Sequence, residues 1–171
     1  MGKAELAAVT NTSAPNIVYA EVLKDGLLEL YSDPSFPEVN PAEVSKQGDN
    51  GPQGAQACGA NSVRCSGSNR ARTGICGRLF DILGGPSIAC RTLPAASHYC
   101  WTDVHVTSNN RCCFSWSRRV TTTVTRSLFP AATKIMRQCQ VNALVSGWSH
   151  DVNLGGVCLR QCLSNRPSGC T

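Results

Sequence analysis

Three histidines and a small number of aspartates limit the chemistry that this sequence could perform. His98, Asp103 and His105 lie together in a stretch that predicts one β-strand, and His150 precedes Asp151. Two histidines with an arginine nearby could cleave RNA by acid–base catalysis, with the arginine stabilising charge on the phosphorane. However, His98 and His105 are separated by an odd offset of seven, which places them on opposite faces of a strand. We therefore expect surface or hydrogen-bonded histidines and keep a secreted ribonuclease as an alternative.

Carboxylates are scarce in the second part of the chain, which weakens several other reaction classes. Residues 58–171 contain no glutamate, and their only aspartates are Asp81, Asp103 and Asp151. Hydrolysis of a glycoside by paired carboxylates would have to use two of these three. The sequence has no GxSxG, HExxH or phosphate-binding loop motif. We therefore expect a non-enzymatic protein without a cofactor.

Eleven cysteines indicate a disulfide-bonded protein from an oxidising, extracellular compartment. Because eleven is odd, five bridges would leave one cysteine over, and the spacing leaves the pairing open. The sequence contains no CxxC motif of the kind that binds zinc, so we expect no metal. The cysteines are Cys58, Cys65, Cys76, Cys90, Cys100, Cys112, Cys113, Cys139, Cys158, Cys162 and Cys170.

Two of the cysteines are adjacent in the sequence, which restricts the elements to which each can form a disulfide bond. Cys112 and Cys113 lie in a predicted strand, so their side chains point to opposite faces of the sheet. We expect them to bond to two different helices, one through Cys76 and the other through Cys139. Each such bridge would stabilise the fold by about 2–4 kcal/mol.

The charge of the chain changes sign near residue 57. Residues 1–57 carry three lysines and eight carboxylates, a net charge of −5, whereas residues 58–171 carry 13 basic and three acidic residues, a net charge of +10. Residues 45–56 are rich in glycine, glutamine and other polar residues, which is typical of a linker. We therefore divide the chain into an acidic, cysteine-free segment, 1–57, and a basic, cysteine-rich domain, 58–171.

The acidic segment contains a hairpin signal. Asp25-Gly26 separates two largely apolar stretches, residues 17–23 and 27–31, which is typical of a β-hairpin. The three prolines that follow oppose further strand pairing. The segment is either a pro-segment that docks on the basic domain until it is cleaved, or an extension packed on the core.

Secretion is expected, although the first residues are not a secretory signal. They contain no continuous apolar stretch, so we expect that the natural signal has been removed and that Met1 was added. Asn11 lies in an Asn-Thr-Ser sequon and would be a glycosylation site in a secretory pathway. No apolar stretch reaches the roughly 20 residues that span a bilayer, so we expect no transmembrane segment.

The cysteine-rich domain predicts an α+β fold in which helices pack on a short antiparallel sheet. Residues 98–107 and 111–125 are rich in β-branched and aromatic residues and predict the central antiparallel pair. Helical patterns cover residues 71–83, 130–145 and 156–163. The last of these would place Cys158 and Cys162 one helical turn apart.

Four arginines form the candidate interaction surface: Arg70, Arg72, Arg118 and Arg119. Such a surface suits an extracellular protein, an anionic surface or the acidic segment of the same chain. Nucleic acid is disfavoured, because the arginines are spread along the domain. The pair Arg118-Arg119 is either a processing site cut after Arg119 or an edge-strand pair that discourages aggregation.

Several motifs resemble a known family. They are NRARTGICGRLFD at 69–81, HYCWTD at 98–103, CCFSWS at 112–117 and CLRQCLSNRPSGCT at 158–171. Together they resemble uncharacterised secreted fungal proteins with a "WD-like" domain, over roughly residues 65–171. The resemblance implies a secreted, cysteine-rich fungal protein and supplies no catalytic residues.

These observations favour an effector-type protein that acts outside the fungal cell. It would bind a host or competitor component through a basic, disulfide-locked surface. One alternative is a killer or antimicrobial toxin released from the acidic pro-segment. The other is the ribonuclease that would use His98 or His105.

Overall fold

The computed structural model describes residues 16–32, 38–39, 58–59, 61–86, 88, 96–120, 125–154 and 157–169. These residues form ten strands, two α-helices and one 3-10 turn, Thr125–Leu128. The helices are α1 (Thr73–Gly84) and α2 (Phe129–Cys139). The strands are β1 (Asn16–Leu23), β2 (Gly26–Ser32), β3 (Glu38–Val39), β4 (Val63–Cys65), β5 (Ala71–Arg72), β6 (Ala96–Asp103), β7 (Arg111–Val120), β8 (Leu144–Val145), β9 (Gly147–Leu154) and β10 (Val157–Ser164).

Eight of the described strands form one sheet in the order β1-β2-β6-β7-β10-β9-β4, and β3 pairs in parallel with the end of β7. The other pairs in this sheet are antiparallel. The predicted pair formed by β6 and β7 is confirmed and lies at the centre. The sheet is larger than the short one that we expected, because the N-terminal hairpin and two C-terminal strands extend it on both sides. Strands β5 and β8 form a separate pair.

The predicted N-terminal hairpin is confirmed and belongs to this sheet. Strand β1 pairs with β2 across a turn at Lys24 and Asp25, and β2 pairs on its other side with β6. Leu28 and Leu30 of β2 are buried in the main core. The expectation that the prolines prevent further pairing is wrong for β3, although the prolines that flank it in the sequence explain why it has only two residues.

Helix α1 confirms the pattern at 71–83, and α2 is shorter than the pattern at 130–145. Helix α2 ends at Cys139 because the chain turns back on itself at Asn142 and Ala143, both with positive φ. The helix predicted at 156–163 is wrong, since these residues lie mainly in β10. Residues four apart share a face in a strand as well as in a helix, so the Cys158–Cys162 spacing could not distinguish the two.

Both helices pack on the same face of the sheet. Helix α1 contacts β6 and β7, whereas α2 contacts β9 and β10. The alternation of side chains along the strands sends one set into this main core. The set includes Leu28, Leu30, Tyr99, Trp101, Cys112, Phe114, Trp116, Leu159 and Leu163. The alternate side chains point to the opposite side of the sheet, here called the second face.

Four disulfide bonds join described cysteines: Cys58–Cys158, Cys65–Cys139, Cys76–Cys112 and Cys100–Cys113. One of the two predicted partners of the adjacent cysteines is confirmed, since Cys112 bonds to Cys76 on α1. The other predicted partner, Cys139, is wrong: Cys139 bonds to Cys65, and Cys113 bonds to Cys100, which lies directly opposite it on β6. Cys112 and Cys113 do point to opposite faces, since they belong to different buried clusters. Cys162 is buried on β10, and Cys90 and Cys170 lie outside the described residues.

Candidate functional site

The structure does not bring the predicted ribonuclease residues together. His98 is fully buried on β6, whereas His105 lies beyond the end of β6, in the turn to β7, with 70% of its side chain exposed. The carboxylate of Asp103 accepts a hydrogen bond from the backbone N–H of His105 at 2.8 Å. His150 and Asp151 lie on β9, three strands away from β6, or about 14 Å. Two histidines that could act on one phosphate are therefore not juxtaposed.

The four arginines proposed as one surface lie at different ends of the sheet. Arg72 donates a hydrogen bond to Ser108 Oγ in the β6–β7 turn at 3.3 Å, and Arg70 lies two residues before it in the chain. Arg118 lies seven residues along β7 from Arg111, the residue at the turn end, which is about 23 Å at the rise of a strand. They therefore do not form a single patch.

Other predicted sites fall partly or wholly outside the described residues. Asn11, the linker at 45–56 and the side chain of Arg119 lie outside them. The backbone of Arg119 belongs to β7 and pairs with Glu38, while Val120 pairs with both β3 and β6. The edge-strand interpretation of the arginine pair is therefore wrong. Cleavage after Arg119 remains a prediction, and it would require local opening of an inner strand.

Every ion pair between described residues joins the N-terminal hairpin to the cysteine-rich part of the chain. The carboxylate of Asp25, in the β1–β2 turn, lies 3.3 Å from the guanidinium of Arg78 on α1 and 3.9 Å from His105 Nε2. The carboxylate of Glu29, on β2, lies 2.6 Å from the guanidinium of Arg111 on β7. The opposite charges of the two parts, visible in the sequence, thus meet in direct contacts. The position of the domain boundary at residue 57 remains a prediction.

The Arg111 pair is the most buried of these contacts and lies on the second face. Arg111 stands opposite Thr102 on β6, yet its guanidinium reaches across β6 to Glu29 and also donates to the Tyr31 hydroxyl. The Glu29 side chain is only 10% exposed and that of Arg111 is 28% exposed. The guanidinium carbon lies 5.4 Å from the centre of the Tyr31 ring, which adds a cation–π contact. The side chain of Arg111 therefore links β7 to β2 across β6, the strand that lies between them.

Tyr31 gives this cluster a pH dependence. Burial raises the pKa of the Tyr31 hydroxyl; the nearby Arg111 lowers it in part, and Glu29 raises it further. Below the ordinary tyrosine pKa of about 10, Tyr31 is neutral in both the folded and the unfolded chain, so its contribution to the free energy of unfolding does not change with pH. Above it, the unfolded chain ionises first, so stability falls until the folded tyrosine also ionises.

We expect Tyr31→Phe to lose less stability than the native protein as the pH rises above about 10. Urea unfolding of both proteins at a series of alkaline pH values measures the difference. Tyr19→Phe is the control, because Tyr19 donates to Glu21 on the same strand at 2.5 Å and packs against the main core, on the opposite side of the sheet from Tyr31. The same alkaline loss in Tyr31→Phe as in the native protein would contradict the assignment.

A second cluster of basic and aromatic side chains lies on the second face near the other edge of the sheet. Strand pairing places Arg64 opposite Trp148, and a bulge in the β9–β10 pairing places Arg160 beside His150. Trp148 Nε1 donates a hydrogen bond to His150 Nε2 at 2.7 Å. Arg64 is exposed, and the other three side chains are half-buried. The sequence reasoning missed this cluster, although Trp148 and His150 have the spacing of two that marks one face of a strand.

Two further properties bear on ligands and membranes. The described residues include no group of three or more His, Cys, Asp or Glu side chains that could hold a metal ion. In the same residues, no helix has the length and apolar character to cross a membrane.

Comparison with known proteins gives one match. The protein-family model described as "Fungal WD-like" matches residues 29–170. The match begins within β2, so it includes part of the hairpin as well as the cysteine-rich region. No curated protein and no solved structure matches the chain.

Proposed function

Since the chain belongs to the fungal WD-like family, we propose that it is a secreted effector-type protein that binds an extracellular component without chemical conversion. The component belongs to a host or a competitor and is anionic. Four disulfide bonds in the described residues support an oxidising, extracellular location. They also restrain the local opening that extracellular proteases require.

The observation that carries this proposal is a set of exposed arginines that form no ion pair with any described carboxylate. Only two arginines of the described part, Arg78 and Arg111, lie in ion pairs. The exposed arginines outside such pairs are Arg64, Arg72, Arg118, Arg126 and Arg137. A fixed excess of positive charge raises the local concentration of anionic partners and the rate at which they associate.

The two alternatives make different use of the same residues. A toxin would require removal of the acidic segment, but β2 is an inner strand whose Leu28 and Leu30 are buried in the core. We therefore propose that the hairpin is retained as a packed extension. A ribonuclease would require an accessible pair of histidines, whereas His98 is fully buried.

Retention on immobilised polysaccharides tests the proposed function. We expect the native protein to bind polygalacturonate at low ionic strength, to elute as salt rises, and to pass through neutral cellulose, because charge attraction is screened within about 10 Å at 0.1 M salt. Equal passage through both matrices would contradict the proposal. Hydrolysis of RNA, or killing of yeast or bacteria at micromolar doses, would instead favour one of the alternatives.

A further inference from the structure

We propose that Arg64, Trp148, His150 and Arg160 form a binding site for an acidic oligosaccharide, a short chain of uronate sugars. The inference rests on the proposed function and locates the anionic partner at one place on the second face. These four residues, called the quartet below, come from three adjacent strands, β4, β9 and β10. Arginine, tryptophan and histidine offer a charge, a flat apolar surface and a hydrogen-bond donor, which are the three features that a uronate ring can use.

The sheet register fixes the layout of the quartet. Trp148 lies between Arg64 and Cys162 in one row across the sheet, and Arg160 follows on β10 two residues before Cys162. Arg64 and Arg160 are thus two strands and about two residues apart, roughly 12 Å between their Cα atoms by strand geometry. This separation matches an oligomer in which each arginine meets the carboxylate of a different sugar ring, so the proposal takes an oligomer with at least two carboxylates as the ligand.

The hydrogen bond from Trp148 determines which ring nitrogen of the neutral His150 side chain carries the proton. Its Nε2 accepts the hydrogen bond from Trp148 and therefore carries no proton, so the neutral ring carries its proton on Nδ1. His150 is held in place by its backbone N–H, which donates to the carbonyl of Ser62 at 3.0 Å. The Nδ1–H group makes no hydrogen bond with a described residue and can donate to a sugar hydroxyl.

No described carboxylate forms an ion pair with the arginines of the quartet. Asp151 lies with His150 in the bulge opposite Arg160, and its carboxylate is turned toward the backbone of Gly59, where an added Cβ would lie 2.6 Å from its Oδ2. The side chains of Arg64 and Arg160 form no ion pair within the described residues, and the backbone N–H of Arg160 is occupied by Ser117 Oγ. Both guanidinium groups can therefore receive a carboxylate by paired hydrogen bonds.

The aromatic content favours a saccharide over a nucleic acid. A strand of RNA or DNA is usually held by several aromatic rings on which successive bases stack. The quartet has a single large ring, Trp148. Tyr31 lies on the same face but toward the opposite edge of the sheet, where it is buried beneath Arg111. One ring with flanking arginines suits a polymer whose charge lies on the sugar itself.

Binding of a hexamer of galacturonate, measured by calorimetry at low ionic strength, tests the proposal. We expect Arg64→Gln/Arg160→Gln to weaken binding about tenfold or more, since each change removes charge-assisted hydrogen bonds. The matched control is Arg126→Gln/Arg137→Gln, which removes the same charge from exposed positions near and on α2. It should change the affinity less than about twofold. Cellohexaose, the neutral comparison, should not bind.

Two single variants test the ring and the donor separately. Trp148→Leu and His150→Met should each weaken binding of the hexamer several-fold, because leucine lacks the flat ring and methionine has no hydrogen-bond donor. Thermal unfolding and the mass of the oxidised protein confirm that each variant is folded. If Trp148→Leu fails to fold, His150→Met alone decides, because this substitution leaves the backbone hydrogen bond from residue 150 to Ser62 available.

The outcomes separate the two proposals. Equal loss in the two double-arginine variants would overturn the quartet while leaving a basic protein that binds anions. Tighter binding of an RNA hexamer than of the uronate hexamer would overturn the quartet in favour of nucleic acid. Absence of binding to the hexamer together with passage through polygalacturonate would overturn both proposals.

Discussion

Replacing Arg111 with methionine should lower the free energy of unfolding by about 3 kcal/mol, because Glu29 would remain buried with its charge uncompensated. Methionine retains most of the apolar volume of arginine, so the loss measures the contacts of the guanidinium group with Glu29 and Tyr31 rather than a cavity. Urea denaturation at pH 7, followed by tryptophan fluorescence with the disulfides intact, gives the difference.

Two further variants show whether the Arg111 effect comes from burial. In Glu29→Gln/Arg111→Met both charges are absent, and we expect it to recover a large part of the loss. Arg78→Met breaks the exposed pair with Asp25, whose side chains are 46% and 39% exposed, and should cost less than about 1 kcal/mol. If Arg111→Met and Arg78→Met lower the free energy of unfolding by similar amounts, the buried pair of Arg111 holds the hairpin no more strongly than the exposed pair of Arg78.

Replacing Gly26 with alanine should destabilise the protein by about 3 kcal/mol, the upper part of the range for overpacking. A Cβ at this position would overlap the carbonyl oxygen of Thr102 and would lie 2.6 Å from the indole ring of Trp101. Both neighbours belong to β6 in the centre of the sheet, so neither can move without disturbing the core. Thermal and urea unfolding of the oxidised protein measure the loss.

Gly77→Ala is the matched control, and its expected effect has the opposite sign. A Cβ at Gly77 would meet no atom within 4 Å, and the residue lies inside α1. Alanine favours the helix over glycine by about 1 kcal/mol, so this variant should be more stable than the native protein. Gly26→Ala as stable as the native protein would mean that β2 does not lie against β6 as described.

The sequence predicted the hairpin at Asp25-Gly26 for a reason that differs from the structural one. The motif is associated with turns in which glycine has positive φ, but within the described residues the only such glycine is Gly169. Gly26 is needed because the ring of Trp101 packs on it. That contact depends on a residue 75 positions away in the chain, so local reasoning could not have supplied it.

Register explains why some of the disulfide pairing could be predicted and some could not. Adjacency alone predicts that Cys112 and Cys113 point to opposite faces, and the position of Cys76 in a predicted helix made it a suitable partner for one of them. The Cys100–Cys113 bond depends on the two residues being directly opposite each other across β6 and β7. A shift of one residue in this register would have excluded it.

The candidate sites were missed or misplaced because the strands at the C-terminus were not predicted. Because β9 was not predicted, nothing indicated that Trp148 and His150 share one face of a strand. Because the residues of β10 were predicted to be helical, Arg160 was assigned to a helix. In contrast, the difference in charge between residues 1–57 and 58–171 can be recognised without knowing how the strands pair. All three ion pairs in the described residues join these two parts.

The central claim is that the hairpin and the disulfide-bonded, cysteine-rich region form one continuous sheet in the secreted protein. The intact mass of protein secreted from a eukaryotic host, taken before and after reduction, tests it most directly. We predict one chain that retains Asn16–Ser32 and is lighter than its reduced form by two hydrogens for each bridge, with at least the four bridges described. A chain that begins after Ser32, or two chains that separate at Arg119 on reduction, would contradict the claim and favour a processed toxin.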